Sequence, residues 1–388
     1  MGLSENLTEP VGLLQSGGLS SLAVGIWLAE TGVPTRHYIA DIGQVPRRDI
    51  DLLAESLRGC GAEAVVVDIR ARMAQVAADL LRYRARHDGG YWNTTGASRF
   101  VLVEQLAPLL AADGCRTLAH GCVGGGNDQR RFARYVSQIE PGLRVYPPWT
   151  DPDALTRFPD RQAMAKAVNE TGLRLDAGSD ADRSTDANLA GVSHESADLE
   201  RLTTPVTALD PRFGRWPSDA PGEPESVTVE FQAGRVVDVD GSGPSPLDWI
   251  VRCNEAGARH GVWLRDVVER RIIGTVCRGV YEAPGLELLH HAWSRMLQAS
   301  LDAGARQLYD QLAQVTGAAM YEARWLDPAA AAARAAIDVL LADVSGRVVL
   351  VVHRGVVTVG RTEVAAGRAA QQTRFDSGGH FWSLPVAG

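Results

Sequence analysis

Over its first 150 residues the chain alternates short apolar runs with helically spaced segments, the alternation that a parallel sheet covered by helices requires. VGLLQ (11–15) reads as a buried strand, SLAVGIWLAETG as a helix stopped by Gly32, and RHYIADIG as a second strand closing on Gly43. The unit then repeats. RRDIDLLAESLRGCG has helical spacing with Gly59 and Gly61 as stops, and AEAVVVDI is a β-branched strand. Residues 71–87 and 100–113 give two more helices, and RTLAHGC leads out as a further strand. The pattern predicts an α/β fold whose doubly wound parallel sheet fills a nucleotide-binding domain over residues 1–165. In such sheets ligands sit at the carboxyl ends of the strands. Two glycine-rich turns, SGG (16–18) and HGCVGGGND (120–128), fall at such ends.

The second half reads differently. Residues 150–225 are rich in Asp, Pro, Ser and Thr, and SDADRSTDANLAG and SDAPGEPES read as long loops. ESVTVEFQAGRVVDVDG then reads as a β-hairpin, residues 247–260 as a helix, and another helix follows YEAPG. AAAAARAAIDVLLADV is helical through its alanines, and VVLVVHRGVVTVGR is another hairpin. Residues 166–388 are therefore expected to form an α+β domain.

Composition narrows the partners. A chain of 388 residues, 45% hydrophobic, has ample core for two domains, and a net charge of -8 leaves no basic stripe to track a phosphate backbone. A small substrate is expected, not nucleic acid. Five cysteines without a C-x-x-C pair point away from a disulfide framework and from a zinc knuckle. MGLSENLTEP lacks a basic region followed by an apolar one, and no stretch reaches eighteen apolar residues, so neither secretion nor a membrane is expected and the cytoplasm is the expected location.

Each turn carries a chemical suggestion and an ordinary alternative. A strand running through SGG into a helix offers backbone N–H groups and a helix N-terminus to an anion, yet it lacks the Walker pattern and also reads as a tight turn. The second turn combines glycines with Asn127, Asp128, Gln129 and Arg131, which can divide the polar groups of an amino acid between them or simply cap a helix. His120, His290 and His291 have no metal-ligand spacing, and no metal site is expected.

At these residues the chain resembles the argininosuccinate synthase family, ATP pyrophosphatases with an SGG loop. SGGLSSLAVGIWLAETGVPTRHYIADIGQ is similar to the family's S-G-G-L-D-T-S opening and its closing D/N-[IL]-G-Q. HGCVGGGNDQRRF resembles H-G-[AC]-T-G-K-G-N-D-Q-x-R-F, and STDANLAGVSHE resembles S-x-D-x-N-L-x-x-x-S-x-E. RHGVWLRDVVERR and CRGVYEAPG resemble K-H-G-V-G-R-x-D-x-V-E-N-R and S-R-G-x-Y-E-T-P. The resemblance runs through nearly the whole chain. It implies that the ureido oxygen of citrulline attacks the α-phosphorus of ATP, and that an amine, aspartate in the family, then displaces AMP. By position it implies ATP contacts from Ser16, Gly17, Gly18, Ser20, Ser21, Ala40, Gly124 and Gly126, with magnesium carried by the nucleotide. Citrulline-facing positions are Tyr91, Asn127, Arg131, Ser184, Ser193, Glu269 and Tyr281; Val123, Asn127 and Asp128 face the amine. Ser16, Arg131 and Asp128 are the implied catalytic residues. A homotetramer is implied too.

Read alone, these residues have plainer roles. Tyr91 and Tyr281 suit packing, Glu269 in VVERR suits a solvated helical charge, and Ser184 and Ser193 lie where loop serines are common. Arg131 is the strongest single candidate, because a buried planar fork suits a carboxylate.

The departures matter as much. Ser20 stands where the family has aspartate, Leu22 where it has serine, Val123 for threonine, Gly125 for lysine, Gly96 for a serine and Trp92 for leucine. A hydrogen bond to a charged group contributes about 1.5–3 kcal/mol, so losing the aspartate and the lysine together corresponds to roughly several hundredfold in ATP handling. Two principal readings follow: a ligase that adenylates citrulline or an analogue and joins it to an amine, including a specialised biosynthetic paralogue, or a catalytically silent relative that binds an amino acid or nucleotide as a sensor or partner subunit. The housekeeping synthase with unusual loops is a third.

Overall fold

The computed structural model describes residues 7, 9–44, 47–123, 125–173, 184–196 and 198–365. The first half is the α/β unit that the alternation predicts. Strands β1 (Val11–Leu14), β2 (Thr35–Asp41), β3 (Glu63–Asp68), β4 (Thr117–His120) and β5 (Arg144–Tyr146) form a parallel sheet in the order β3-β2-β1-β4-β5. Their connections contain helices α1 (Leu19–Glu30), α2 (Arg47–Gly59), α3 (Arg70–Arg82), α4 (Thr94–Ala112) and α5 (Asn127–Ile139). Helices α6 (Pro152–Arg157) and α7 (Arg161–Glu170) follow.

The two-residue period of a strand explains why the sheet is covered on both sides. Val11, Leu13, Ile39 and Ala119 belong to one apolar cluster with Leu22 and Leu28 of α1, Leu57 of α2 and Val168 of α7. Their strand neighbours Leu14, Tyr38, Ala40 and Leu118 belong to another, with Met73 of α3, Phe100 of α4 and Val136 of α5.

Two antiparallel sheets and four helices make up the second half among the described residues. One sheet joins β6 (Ser184–Asn188), β7 (Gly191–Glu195), β10 (Leu264–Arg270) and β11 (Val276–Glu282) in the order β10-β11-β7-β6. The other joins β8 (Glu225–Gln232), β9 (Arg235–Val239), β12 (Gly346–His353) and β13 (Val356–Val364) in the order β13-β12-β8-β9. Helices α8 (Pro246–Arg259), α9 (Pro284–Ser300), α10 (Ala303–Tyr321) and α11 (Pro328–Leu340) complete it.

Three expectations are corrected. SDADRSTDANLAG (179–191), read as a long loop, contains β6 and the turn of the β6–β7 hairpin, so Ser184 and Ser193 sit on strands, while its residues 179–183 lie outside the described residues; α6 and α7 also lie within 150–225. The β10–β11 hairpin puts Glu269 on a strand, buried, and not on a solvated helix. Strand β5 adds a fifth strand to the sheet beyond those read from the sequence.

Helix α10 crosses the first half so closely that only glycine fits at one point. A Cβ on Gly317 would lie 2.0 Å from the carbonyl oxygen of Arg86. Backbone cannot yield as a side chain can, so Gly317→Ala is expected to lower stability by about 1–3 kcal/mol. Chemical denaturation checks this, and an unchanged midpoint would refute the close approach.

Candidate functional site

The order β3-β2-β1-β4-β5 puts its switch point between β1 and β4, since the chain leaves β1 toward one edge and later returns to the other. Both glycine-rich turns emerge there. They touch: a Cβ on Gly121 would fall 2.7 Å from the backbone nitrogen of Ser21.

The first turn is internally hydrogen-bonded. Gly17 N–H donates to Gln15 Oε1 at 3.0 Å and Gly18 N–H to Ser16 Oγ at 3.3 Å. The Ser21 hydroxyl receives Ser16 N–H at 3.4 Å, lies 3.0 Å from Ser16 Oγ, and also contacts Gln15 Oε1. Gly17 holds φ +80°, a conformation that glycine adopts freely. Gly18 caps α1, whose first turn has no acidic residue. Ser16 is exposed, Ser20 is half-buried, and Ala40 is buried near the carboxyl end of β2.

In the second turn Gly124 lies outside the described residues. Gly125 has φ +76° and donates to Gln129 Oε1 at 3.0 Å, and Gly126 caps α5. Val123, 63% exposed, presents an apolar side chain beside it. His120 ends β4 fully buried; its Nδ1 accepts from Cys122 N–H at 3.3 Å, and burial pushes its pKa down to about 4, so the ring is neutral at pH 7.

From α5 inward the predicted residues converge. Asp128 accepts from Arg131 Nη1 at 2.8 Å and from Arg99 Nη2 at 2.9 Å, and Arg99 Nη2 also bonds Asp186 Oδ2 at 2.6 Å. Burial alone would raise the Asp128 carboxyl; Arg99 and Arg131 outweigh it and hold it well below the usual range. Arg131 is 3% exposed and donates from Nε to the carbonyl of Tyr321 at 2.9 Å. Its fork is thus partly committed to the protein.

Strand register supplies the next group. Ser193 of β7 pairs directly with Tyr281 of β11 on one side and Asp186 of β6 on the other, which places the three side chains on one face. Ser193 Oγ meets Thr95 Oγ1 at 2.7 Å, and Thr95 N–H donates to the hydroxyl of Tyr91 at 2.9 Å. The rings of Tyr91 and Tyr281 stack at 3.8 Å. Tyr281 leans along its own strand over Gly279, where a Cβ would lie 2.4 Å from the ring, and so reaches Glu269 Oε1 at 2.8 Å. Glu269 is only 4% exposed, and its Oε2 has no hydrogen-bond partner among the described residues. Burial raises its pKa against the opposing influence of Tyr281, His87, Tyr321 and Arg131. Asn127 joins through Oδ1, which accepts from Ile272 N–H at 3.0 Å. Ser184 opens β6 opposite Glu195.

The structure therefore brings Tyr91, Asn127, Asp128, Arg131, Ser193, Glu269 and Tyr281 together. It adds Arg99, Asp186 and Tyr321 to the same network. Asp186 stands inside the STDANLAGVSHE motif; Arg99 lies in YWNTTGASRF beside Tyr91, Trp92 and Gly96, and Tyr321, in AAMYEARW, has no local signal. Gly96 also finds its reason, since a Cβ there would lie 2.9 Å from the carbonyl oxygen of Met320. Trp92 is core: it is 1% exposed and donates to Glu287 at 2.7 Å. Among the described residues no group of three His, Cys, Asp or Glu side chains could hold a metal ion, and no helix is long and apolar enough to cross a membrane.

Comparison with known proteins follows the same division of the chain. The family model of the arginosuccinate synthase N-terminal HUP domain matches residues 10–168, and that of the arginosuccinate synthase C-terminal domain matches residues 183–381. Among solved structures the chain is similar to a predicted subunit of tRNA methyltransferase from Methanocaldococcus jannaschii, at 15% identity over 36% of this chain and 67% of that one, with a TM-score of 0.27. The HUP domain of this family implies ATP binding, and the two domains together imply an ATP-dependent ligase. The chain belongs to the argininosuccinate synthase family.

Proposed function

We propose that the protein adenylates the ureido group of citrulline or a close analogue and couples it to an amine, releasing AMP and pyrophosphate. The observation that carries this reading is the cluster of Glu269, Tyr281, Asn127 and Arg131, in which Glu269 and Arg131 are buried; Asn127 and Arg131 stand on α5, which follows β4 at the switch point where the SGG loop also emerges. A carboxylate oxygen without a partner among the described residues suits a substrate N–H, and an amide and a guanidinium suit its carboxylate.

In the first step the ureido oxygen attacks the α-phosphorus, the α–β phosphoanhydride bond breaks and pyrophosphate leaves. In the second the amine attacks the isourea carbon, AMP leaves, and the amine proton passes to solvent. The chain contributes positioning and charge. Ser16, Gly17, Gly18, Ser20, Ser21, Ala40, Gly124 and Gly126 would be the ATP-facing positions. Tyr91, Asn127, Arg131, Ser184, Ser193, Glu269 and Tyr281 would hold the ureido amino acid, and Val123, Asn127 and Asp128 would face the amine. Magnesium would arrive on the nucleotide. Ser16, Arg131 and Asp128 are the catalytic residues of this reading. A cytoplasmic homotetramer with a nucleotide-binding domain over 1–165 and a synthetase domain over 166–388 completes it, on the strength of the family.

One observation favours a silent amino-acid or nucleotide binder instead. The N–H groups of Ser16, Gly17 and Gly18, which a phosphate would use, are paired with Ser21, Gln15 and Ser16 side chains. Incubating the protein with ATP, magnesium and L-citrulline, with aspartate and then a panel of amines, separates the readings. Citrulline-dependent pyrophosphate release is expected, and the amine that raises AMP identifies the second substrate. Citrulline binding by calorimetry without any pyrophosphate would assign the silent role.

A further inference from the structure

Tyr321 is the last residue of α10, 1% exposed, and it enters the site from a helix to which the sequence assigned no function. Its hydroxyl accepts from Asn127 Nδ2 at 3.0 Å and donates to Glu269 Oε1 at 3.1 Å. Its carbonyl holds Arg131 Nε at 2.9 Å. The ring lies 4.9 Å beneath the Arg131 guanidinium carbon and stacks on His87 at 3.5 Å.

The directions of these bonds are determined. Ile272 N–H donates to Asn127 Oδ1, so the Asn127 amide nitrogen faces Tyr321. A phenol has one proton; since its oxygen receives Asn127, that proton goes to Glu269. Tyr281 donates to the same oxygen, Oε1, at 2.8 Å. Two donors thus converge on one oxygen of Glu269 while the other, buried, has none among the described residues. A buried acceptor left without a donor is costly unless a ligand supplies one.

We infer that Tyr321 is a positioning residue of the amino-acid site, fixing the donor and acceptor roles of Asn127 and Glu269 so that Glu269 Oε2 is held ready for a substrate N–H. The inference deepens the proposed function and rests on it for the identity of the ligand. It does not rest on it for the state of Glu269. The groups facing that carboxyl are Tyr281 and Cys277 from β11, Tyr321 from α10, Arg131 from α5 and His87 from the segment before α4. Tyr321→Phe keeps the ring on His87 and Arg131 and removes one donor to the charged form. The carboxyl then titrates at higher pH, and ligand that needs it charged is lost at higher pH.

The test compares the full-length protein with its Tyr321→Phe variant in two ways. L-citrulline binding is measured by calorimetry between pH 5 and 8, and the Glu269 carboxyl is titrated by carbon NMR without ligand. Affinity falling about tenfold or more, with the acid limb and the carboxyl titration both moved to higher pH, is the expected result. A carboxyl that titrates unchanged overturns the inference. If the parent protein takes up no L-citrulline, the ureido reading of the site fails, and the ligand-free titration still decides on Tyr321.

Discussion

Replacing Glu282 with alanine is expected to destabilise the fold by about 3–5 kcal/mol, the largest effect of any single change considered. Glu282 ends β11 with no exposure. Its Oε1 accepts from Arg212 N–H at 2.7 Å and lies 2.6 Å from His194 Nε2. Oε2 accepts from Phe213 N–H at 2.8 Å and Gly214 N–H at 2.7 Å. One carboxylate therefore ties the 212–214 segment to the sheet that carries Ser193 and Tyr281. Alanine would leave three backbone donors and an imidazole without an acceptor. Burial pushes the carboxyl up, but His194 and the N–H groups of Arg212 and Gly214 outweigh it and hold it below the usual range. A depressed carboxyl stabilises above its unfolded pKa, about 4.3, and loses that contribution as pH falls through the folded value. Urea titrations at pH 7 and in acid test both parts. The gap between the parent protein and Glu282→Gln should narrow on acidification, and a Glu282→Ala variant within 1 kcal/mol of the parent would sink the assignment.

The second large effect is functional, and its sign on stability is opposite. Glu269→Gln is expected to lower kcat/KM for the ureido substrate about a hundredfold, because the amide still accepts from Tyr281 and Tyr321 but sets a donor where the open acceptor stood. The folded-state pKa of Glu269 is raised by burial. A raised carboxyl costs stability as pH rises through it, so removing its charge leaves the protein as stable at pH 7 or more so. Thermal unfolding and citrulline-dependent pyrophosphate release, measured side by side, check the pair of outcomes. Unchanged turnover would remove Glu269 from the site. Lost turnover with a lower melting temperature would reduce its role to packing.

Glu269 also explains where the sequence was hard to read. Along β10 the inward positions are Val267 and Glu269, while Asp266, Val268 and Arg270 are exposed. A charged residue on the inward face and a valine on the outer one cancel the two-residue hydrophobic period that reveals a half-buried strand. The residue that makes the site thus hides its strand. Ser184, Asp186 and Ser193 do the same for β6 and β7, whose polar residues resemble loop chemistry. By contrast β1, β2 and β3 were legible, because apolar runs end there in glycine or open into helices. Tyr321 was illegible for a different cause. Nothing along α10 distinguishes a tyrosine that packs from one that meets Asn127 and Glu269 across the fold.

The apolar interior has a consequence for how the chain can be divided. One continuous cluster contains Phe100 and Trp92 from the first half, Trp249, Leu286 and Trp293 from the second, and Val348 and Leu350 from the last sheet. Arg82 of α3 reinforces it, bonding Asp338 of α11 and the carbonyl of Ala233. The interior on that face of the first sheet thus runs unbroken into the second half, so parting the two would bare Phe100, Trp92, Trp249 and Leu286 to water.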